Sequence, residues 1–195
     1  MNHPRSDTGQ AFPIYITVVA GLLFLALAYL AVGQAAVNRG GAQTAADAAA
    51  LAAAQETRKQ LATQWVKVVL DPTKWLDIFE GQGGFNSCGR ADELAAQNEA
   101  TLINCHWDGA LRYAVDVRTN KAVGDSVVPG TEDKHAKASA VAVIKSLCDF
   151  KPPGDDAGDG ALPKLQCKDR EWALNPDDLS DLPGPEDLFD VHLAG

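Results

Sequence analysis

PIYITVVAGLLFLALAYLAV, from Pro13 to Val32, runs for twenty residues without an acid, a base or a histidine. A helix rises about 1.5 Å per residue, so this stretch is long enough to cross a hydrocarbon core about 30 Å thick. The surrounding window without any of these charged side chains is wider still, from Asp7 to Arg39. The chain holds one such run, and the expectation is a single pass through a membrane. Charge fixes the orientation poorly, because His3 and Arg5 precede the span and Arg39 follows it. A cleavable signal peptide with a Gly33-Gln34-Ala35 site is the competing reading. The apolar run exceeds the usual h-region of roughly 7–15 residues and its lead is barely basic, which favours a signal-anchor.

Outward from the span, Gln34 to Leu70 is rich in Ala and Gln and predicts further helix, loosened only at Gly40-Gly41 and stopped by Asp71-Pro72. Leu51, Ala54, Leu61, Trp65 and Val68 recur at helical spacing and predict an apolar stripe that a domain must cover. Unbroken from Pro13 to Leu70, the helix would reach about 90 Å. Two helices hinged at Gly40-Gly41 are the alternative, since a mid-helix glycine costs about 1 kcal/mol. Pro13 suits the first turn of a helix. Gly21, Ala28, Ala31, Gly33 and Ala35 are small enough to let another helix approach closely.

Four cysteines, Cys88, Cys105, Cys148 and Cys167, all follow the span, form an even set and lack a CxxC or other metal spacing. An even set of this kind fits an oxidising compartment, with the N-terminus cytoplasmic and the later domain extracytoplasmic. Four thiols allow three pairings. Cys88 with Cys105 and Cys148 with Cys167 is favoured because each closes a short loop, worth about 3 kcal/mol in a chain-entropy account. Four reduced cysteines in a cytoplasmic domain are the other reading. The expected organisation is a cytoplasmic lead (1–12), a transmembrane helix (13–37), an extracytoplasmic extension (38–70) and a disulfide-braced α+β domain with an acidic C-terminal part (71–195).

Within that domain, GQGGFNSCG lacks the Lys-Ser/Thr of a phosphate-cradling loop and reads as turn. Asp92 to Leu102 predicts an amphipathic helix with Leu94, Ala95 and Leu102 on its buried face. Leu111 to Thr119 alternates as a half-buried strand, and Lys137 to Ile144 predicts a second, although its alanines also suit helix. Trp172 to Leu174 and Leu188 to Leu193 read as further strands, the latter with Phe189, Val191 and Leu193 inward. An antiparallel sheet covering the long helix is the economical assembly.

From Pro152 onward eleven acids face three bases, most of a net charge of −9, which argues against nucleic acid as a partner. Asp155, Asp156 and Asp159 do not match a calcium-binding loop and read as a solvated acidic turn. His3, His106, His135 and His192 are scattered without HExxH, and no serine sits in GxSxG. No cofactor or metal pattern stands out, and the residues point to a non-enzymatic protein. A membrane-tethered ligand-binding protein or enzyme is the alternative.

The block SDTGQAFPIYITVVAGLLFLALAYLAVGQAAVNRGGAQTAADAAALAAA resembles the TadE/TadG-like proteins of the tight-adherence (Flp) pilus-assembly system, especially their actinobacterial forms. Gln43, Ala46, Asp47, Ala48, Ala49, Ala50, Leu51 and Ala52 to Ala54 carry the second element of that likeness. CGRADELAAQNEATLINCHWDGALRYAVDV is similar to the family's pattern of Cys, short helix with Asn, Cys and valine-rich strand, at Cys88, Asn98, Cys105, Val115 and Val117. The resemblance implies a pilin-like minor or accessory subunit, held by its N-terminal helix, with other pilin-like subunits and assembly-platform proteins as partners. It also implies homo- or hetero-oligomers through that helix. Cutting after Gly9, as pilin precursors are cut, would leave Tyr15 at the family's tyrosine position and Ile14 where glutamate is expected.

Overall fold

The computed structural model describes residues 11–109, 111–122, 133–151, 162–168 and 170–194. The lead before Ala11, a cut after Gly9 and the turn expected at Asp155, Asp156 and Asp159 lie outside them. A single helix of 57 residues, α1 (Ala11–Lys67), runs through the molecule and is about 85 Å long. It does not break at Gly40-Gly41, so the hinged alternative does not occur. A Cβ on either glycine would meet nothing within 4 Å. The cost of the pair, about 1 kcal/mol each, is outweighed by the burial that begins at Ala42.

The helix stops at Lys67 rather than at Leu70, because the next residues turn: the Asp71 N–H donates to the Val68 carbonyl at 2.8 Å. Pro72–Lys74 then forms a 3-10 turn, and α2 (Trp75–Phe79) follows. The Thr73 hydroxyl and the Lys74 ammonium beside it hold the Asp71 carboxyl below the usual carboxylate range. Gly81 and Gly83 in the glycine-rich segment sit in the left-handed region at φ 92° and 89°, and a Cβ on Gly81 would come within 2.7 Å of Leu111. The turn therefore requires glycine on both conformational and steric grounds.

α3 spans Cys88–Gln97, and β1 begins at Ala100. This corrects the helix expected over Asp92 to Leu102. The Asn98 side chain donates to the Leu94 carbonyl at 2.8 Å, closing the last turn, and Glu99 at φ 54° reverses the chain. Leu102 thus belongs to a strand, and the buried side of α3 is Ala91 and Ala95. The main sheet is antiparallel, in the order β1 (Ala100–Trp107), β2 (Arg112–Thr119), β3 (Lys137–Ser146) and β7 (Phe189–Leu193). β1 carries a bulge between Leu102 and Asn104. The alanines of β3 do not turn it into helix. Ala140 pairs with Val115 and Ala142 with Tyr113, so their methyl groups share the buried face with Ile144.

A second sheet of three short strands, β4 (Cys148–Phe150), β5 (Leu165–Cys167) and β6 (Arg170–Trp172), lies beside the first. The expected strand at Trp172 to Leu174 is thus shifted, because pairing with β5 ends at Leu165 opposite Trp172. α4 (Pro185–Leu188) leads into β7, with Gly184 N–H bonded to the Asp187 carboxylate at 2.9 Å. The result is α+β: one long helix, apolar and bare at its start, with a small antiparallel domain built on its end.

Candidate assembly helix and its junction with the domain

The two halves of α1 have opposite surroundings. From Phe12 to Gly41 every residue is exposed except the half-buried Val19, Ala31 and Asn38. Phe12, Phe24, Tyr29 and Val37 are each more than two-thirds exposed. The part long and apolar enough to cross a membrane is therefore not the core helix of the domain, since none of its most apolar window is buried. An apolar surface of this length left in water would be strongly unfavourable, which is the physical argument for lipid or other helices around it.

Within this bare half, Pro13, Tyr15, Gly21, Ala28, Gly33 and Ala35 are exposed and Ala31 is half-buried. Thr17 returns its hydroxyl to the Pro13 carbonyl at 2.7 Å. At about 100° per residue, Gly21, Ala28 and Ala35 share one face, and Pro13 and Ala31 lie together beside it. Tyr15 and Gly33, eighteen residues apart, fall on another face, toward the domain. The small residues thus divide between two sides of the rod. Apart from the helix's own backbone and their chain neighbours, no described atom lies within 4 Å of where a Cβ on Gly21 or Gly33 would stand, so their smallness is unused among the described residues.

Beyond Gly41 the helix becomes the core of the domain. Ala42, Ala45, Ala46, Ala49, Ala50, Ala53 and Ala54 are wholly buried, followed by Thr57, Leu61 and Trp65. Leu51 and Val68 sit half-buried at the margins of this face. Alanine on α1 facing Ala91 and Ala95 of α3 and Ala140 and Ala142 of β3 leaves little side chain between the elements, so they pack closely. Larger side chains close the distal end, where Trp65, Trp75, Phe150, Phe79 and Phe189 form a chain of tilted and edge-on ring contacts 5.2 to 6.0 Å apart.

A buried hydroxyl cluster fastens helix to domain midway along this face. Thr57 Oγ1 lies 2.7 Å from Tyr113 Oη and 3.0 Å from Ser87 Oγ, and the Ser87 N–H donates to Tyr113 Oη at 2.9 Å. Gln60 completes the connection, taking the Phe85 N–H at 2.8 Å and donating to Ser87 Oγ at 3.2 Å. Three segments are joined: α1, the loop before α3, and β2. Next to Ser87, Cys88 is disulfide-bonded to Cys105 of β1, and Cys148 is bonded to Cys167, its register partner across β4 and β5. No periodicity in the sequence marks the hydroxyl cluster, because its members are separated by 30 and 56 residues.

Where helix leaves domain, a cleft of 660 Å³ opens between them, lined on the helix by Tyr29, Gly33, Gln34 and Asn38 and on the domain by Glu99 and Lys121. Among the described residues no group of three or more His, Cys, Asp or Glu side chains is placed to hold a metal ion. His106 and His192 are exposed on the outer face of the main sheet, and His135 Nδ1 lies 2.8 Å from the Thr119 carbonyl oxygen.

Residues 9–56 match the family model described as putative Flp pilus-assembly TadE/G-like. No curated protein and no solved structure matches the chain. The match begins just before α1, takes in the whole bare rod, and ends at Glu56, one residue before the hydroxyl cluster. The match supports a TadE/TadG-like relationship, that of putative Flp pilus-assembly proteins, for this N-terminal segment.

Proposed function

We propose that the protein is a non-enzymatic, pilin-like minor or accessory subunit of a Tad-type pilus-assembly system. Its bare helix makes a single pass through the cell membrane, and its disulfide-braced domain stands on the extracytoplasmic side with the N-terminus in the cytoplasm. One observation carries this reading: a single unbroken helix is apolar and uncovered over one half and is the core of a folded domain over the other. Such a helix can remain in lipid or pack among similar helices, so one surface serves as anchor and as assembly face. The disulfides support the outer placement of the domain, since they persist in oxidising compartments.

The test is co-purification from detergent-solubilised membranes with other pilus-assembly components. Replacing Gly33, where a Cβ has open space, or the half-buried Ala31 by Leu adds bulk to the rod at positions outside the domain core. Recovery of partners is expected to fall several-fold while the protein's own membrane level stays constant. Unchanged recovery for both variants would refute the assembly role of this surface.

A further inference from the structure

We infer that the base of the domain is a docking surface for anionic phospholipid headgroups of the bilayer that α1 crosses. The inference rests on the reading of that helix as a membrane span and adds a second contact, made by the domain itself.

Position comes first. If the hydrocarbon ends near Val32, Asn38 stands about 9 Å above it and Gly41 about 13 Å, at about 1.5 Å per residue. The headgroup layer adds only about 5–8 Å on each side of the core. The cleft lined by both Tyr29 and Lys121 shows that this end of the domain overhangs that part of the helix. β2 confirms the direction. It meets Thr57 at Tyr113, and its last residue, Thr119, lines the cleft beside Gly41, so the strand descends the helix toward the membrane.

Charge comes second. The chain carries −9 overall, yet its described residues at this end include Arg39, Arg118, Lys121, Lys134 and Lys137, all exposed, against Glu99 and Asp133. Lys121 is paired with Glu99 at 2.7 Å. Arg118 and Lys137 face each other directly across β2 and β3, and neither has an anionic partner among the described residues. Like charges placed opposite on a sheet are unfavourable by themselves. An anionic surface below them removes the repulsion and is attracted to both. Arg39, half a turn around the helix from the cleft, extends the basic rim to the far side of the rod. A lipid surface reaches basic groups on the domain and on the far side of the rod together, whereas a single partner protein would cover one side.

The experiment places the full-length protein in nanodiscs of phosphatidylcholine, with or without phosphatidylglycerol as one lipid in three. Acylation of individual lysines by a water-soluble reagent is followed by mass spectrometry. Each near-surface Lys or Arg is worth about a fivefold change in membrane affinity, so Lys134 and Lys137 should react about fivefold more slowly on anionic discs. Lys145, at the opposite end of β3, should be unchanged and serves as the internal control. High salt should abolish the difference, the Debye length falling to about 3 Å at 1 M. Arg118→Glu should restore the rate at Lys137. Equal rates on both discs would overturn the inference while leaving the span intact. Slowing that follows the number of protein copies per disc, whatever the lipid, would overturn it in favour of contact between copies. Protein recovered free of lipid would remove the span and this inference together.

Discussion

Tyr113→Phe removes one oxygen from the centre of the junction and nothing else. Its phenol is wholly buried, accepts the Ser87 N–H at 2.9 Å and shares a hydrogen bond with Thr57 Oγ1 at 2.7 Å. The Thr57 hydroxyl keeps Ser87 Oγ at 3.0 Å and the Phe85 carbonyl at 3.4 Å. The Ser87 N–H has no other acceptor, so the substitution orphans a buried donor, which costs about 1–3 kcal/mol, and forfeits the hydroxyl pair. A total near 2 kcal/mol follows, with no cavity to add because the ring is retained. Urea unfolding of the full chain in detergent, read by the fluorescence of Trp65 and Trp75 in the distal aromatic cluster, measures it. At an m-value of about 2 kcal/mol/M the midpoint should fall by about 1 M. Thr57→Val should cost less, about 1 kcal/mol, since Tyr113 still accepts from Ser87. The double variant should be non-additive by at least about 0.5 kcal/mol, as contacting residues are. A Tyr113→Phe change within about 0.5 kcal/mol of zero, the range of a surface substitution, would refute the hydroxyl cluster as a structural fastening.

Gly81→Ala should destabilise the domain by about 1–3 kcal/mol in the same assay, because φ 92° is strained for alanine and its Cβ meets Leu111; an unchanged midpoint would mean that the turn has another conformation. Gly41→Ala tests the continuity of the rod. The site is helical with open space around it, so alanine should stabilise by about 0.5–1 kcal/mol and raise the helical circular dichroism signal slightly. A loss of stability there would mean that the glycine pair bends in the working protein.

Features with a strong period were legible in the sequence. The charge-free run from Pro13 to Val32 is exposed helix, and Tyr113, Val115 and Val117 alternate inward on β2. Features that depend on a partner were not. Leu61 and Trp65 stand out on α1 by size, yet most of the buried face is alanine, whose hydropathy and helix propensity look the same on a solvent face and in a core. The sequence carries α3 past its true end because Ala100 to Leu102 continues the composition of a helix, whereas the reversal rests on Asn98 and on a left-handed Glu99. The three-residue strands β4, β5 and β6 are too short for alternation to register. Their place is set by the Cys148–Cys167 pair and by Leu165 and Trp172 closing over the core. The hydroxyl cluster gave no signal, since serine, threonine and tyrosine are ordinary surface residues until the fold brings them together.

Alanine on the buried half of α1 also bears on how firmly rod and domain are joined. Long side chains at this interface could change rotamer and let the helix slide or roll. Methyl groups have no rotamers to exchange, so the backbones of α1, α3 and β3 are held at the distance set by their own surfaces. The aromatic cluster at the distal end and the Thr57–Ser87–Tyr113 cluster midway resist rotation about the helix axis at two separate heights. Each disulfide spans a loop closed over 17 or 19 residues and opposes local opening of the shell around the helix. A force or displacement applied to the bare half therefore reaches the domain as movement of the whole unit. That mechanical continuity, with no flexible linker between Gly41 and Ala42, is the property an assembly subunit needs if the packing of its helix is to decide where its domain stands.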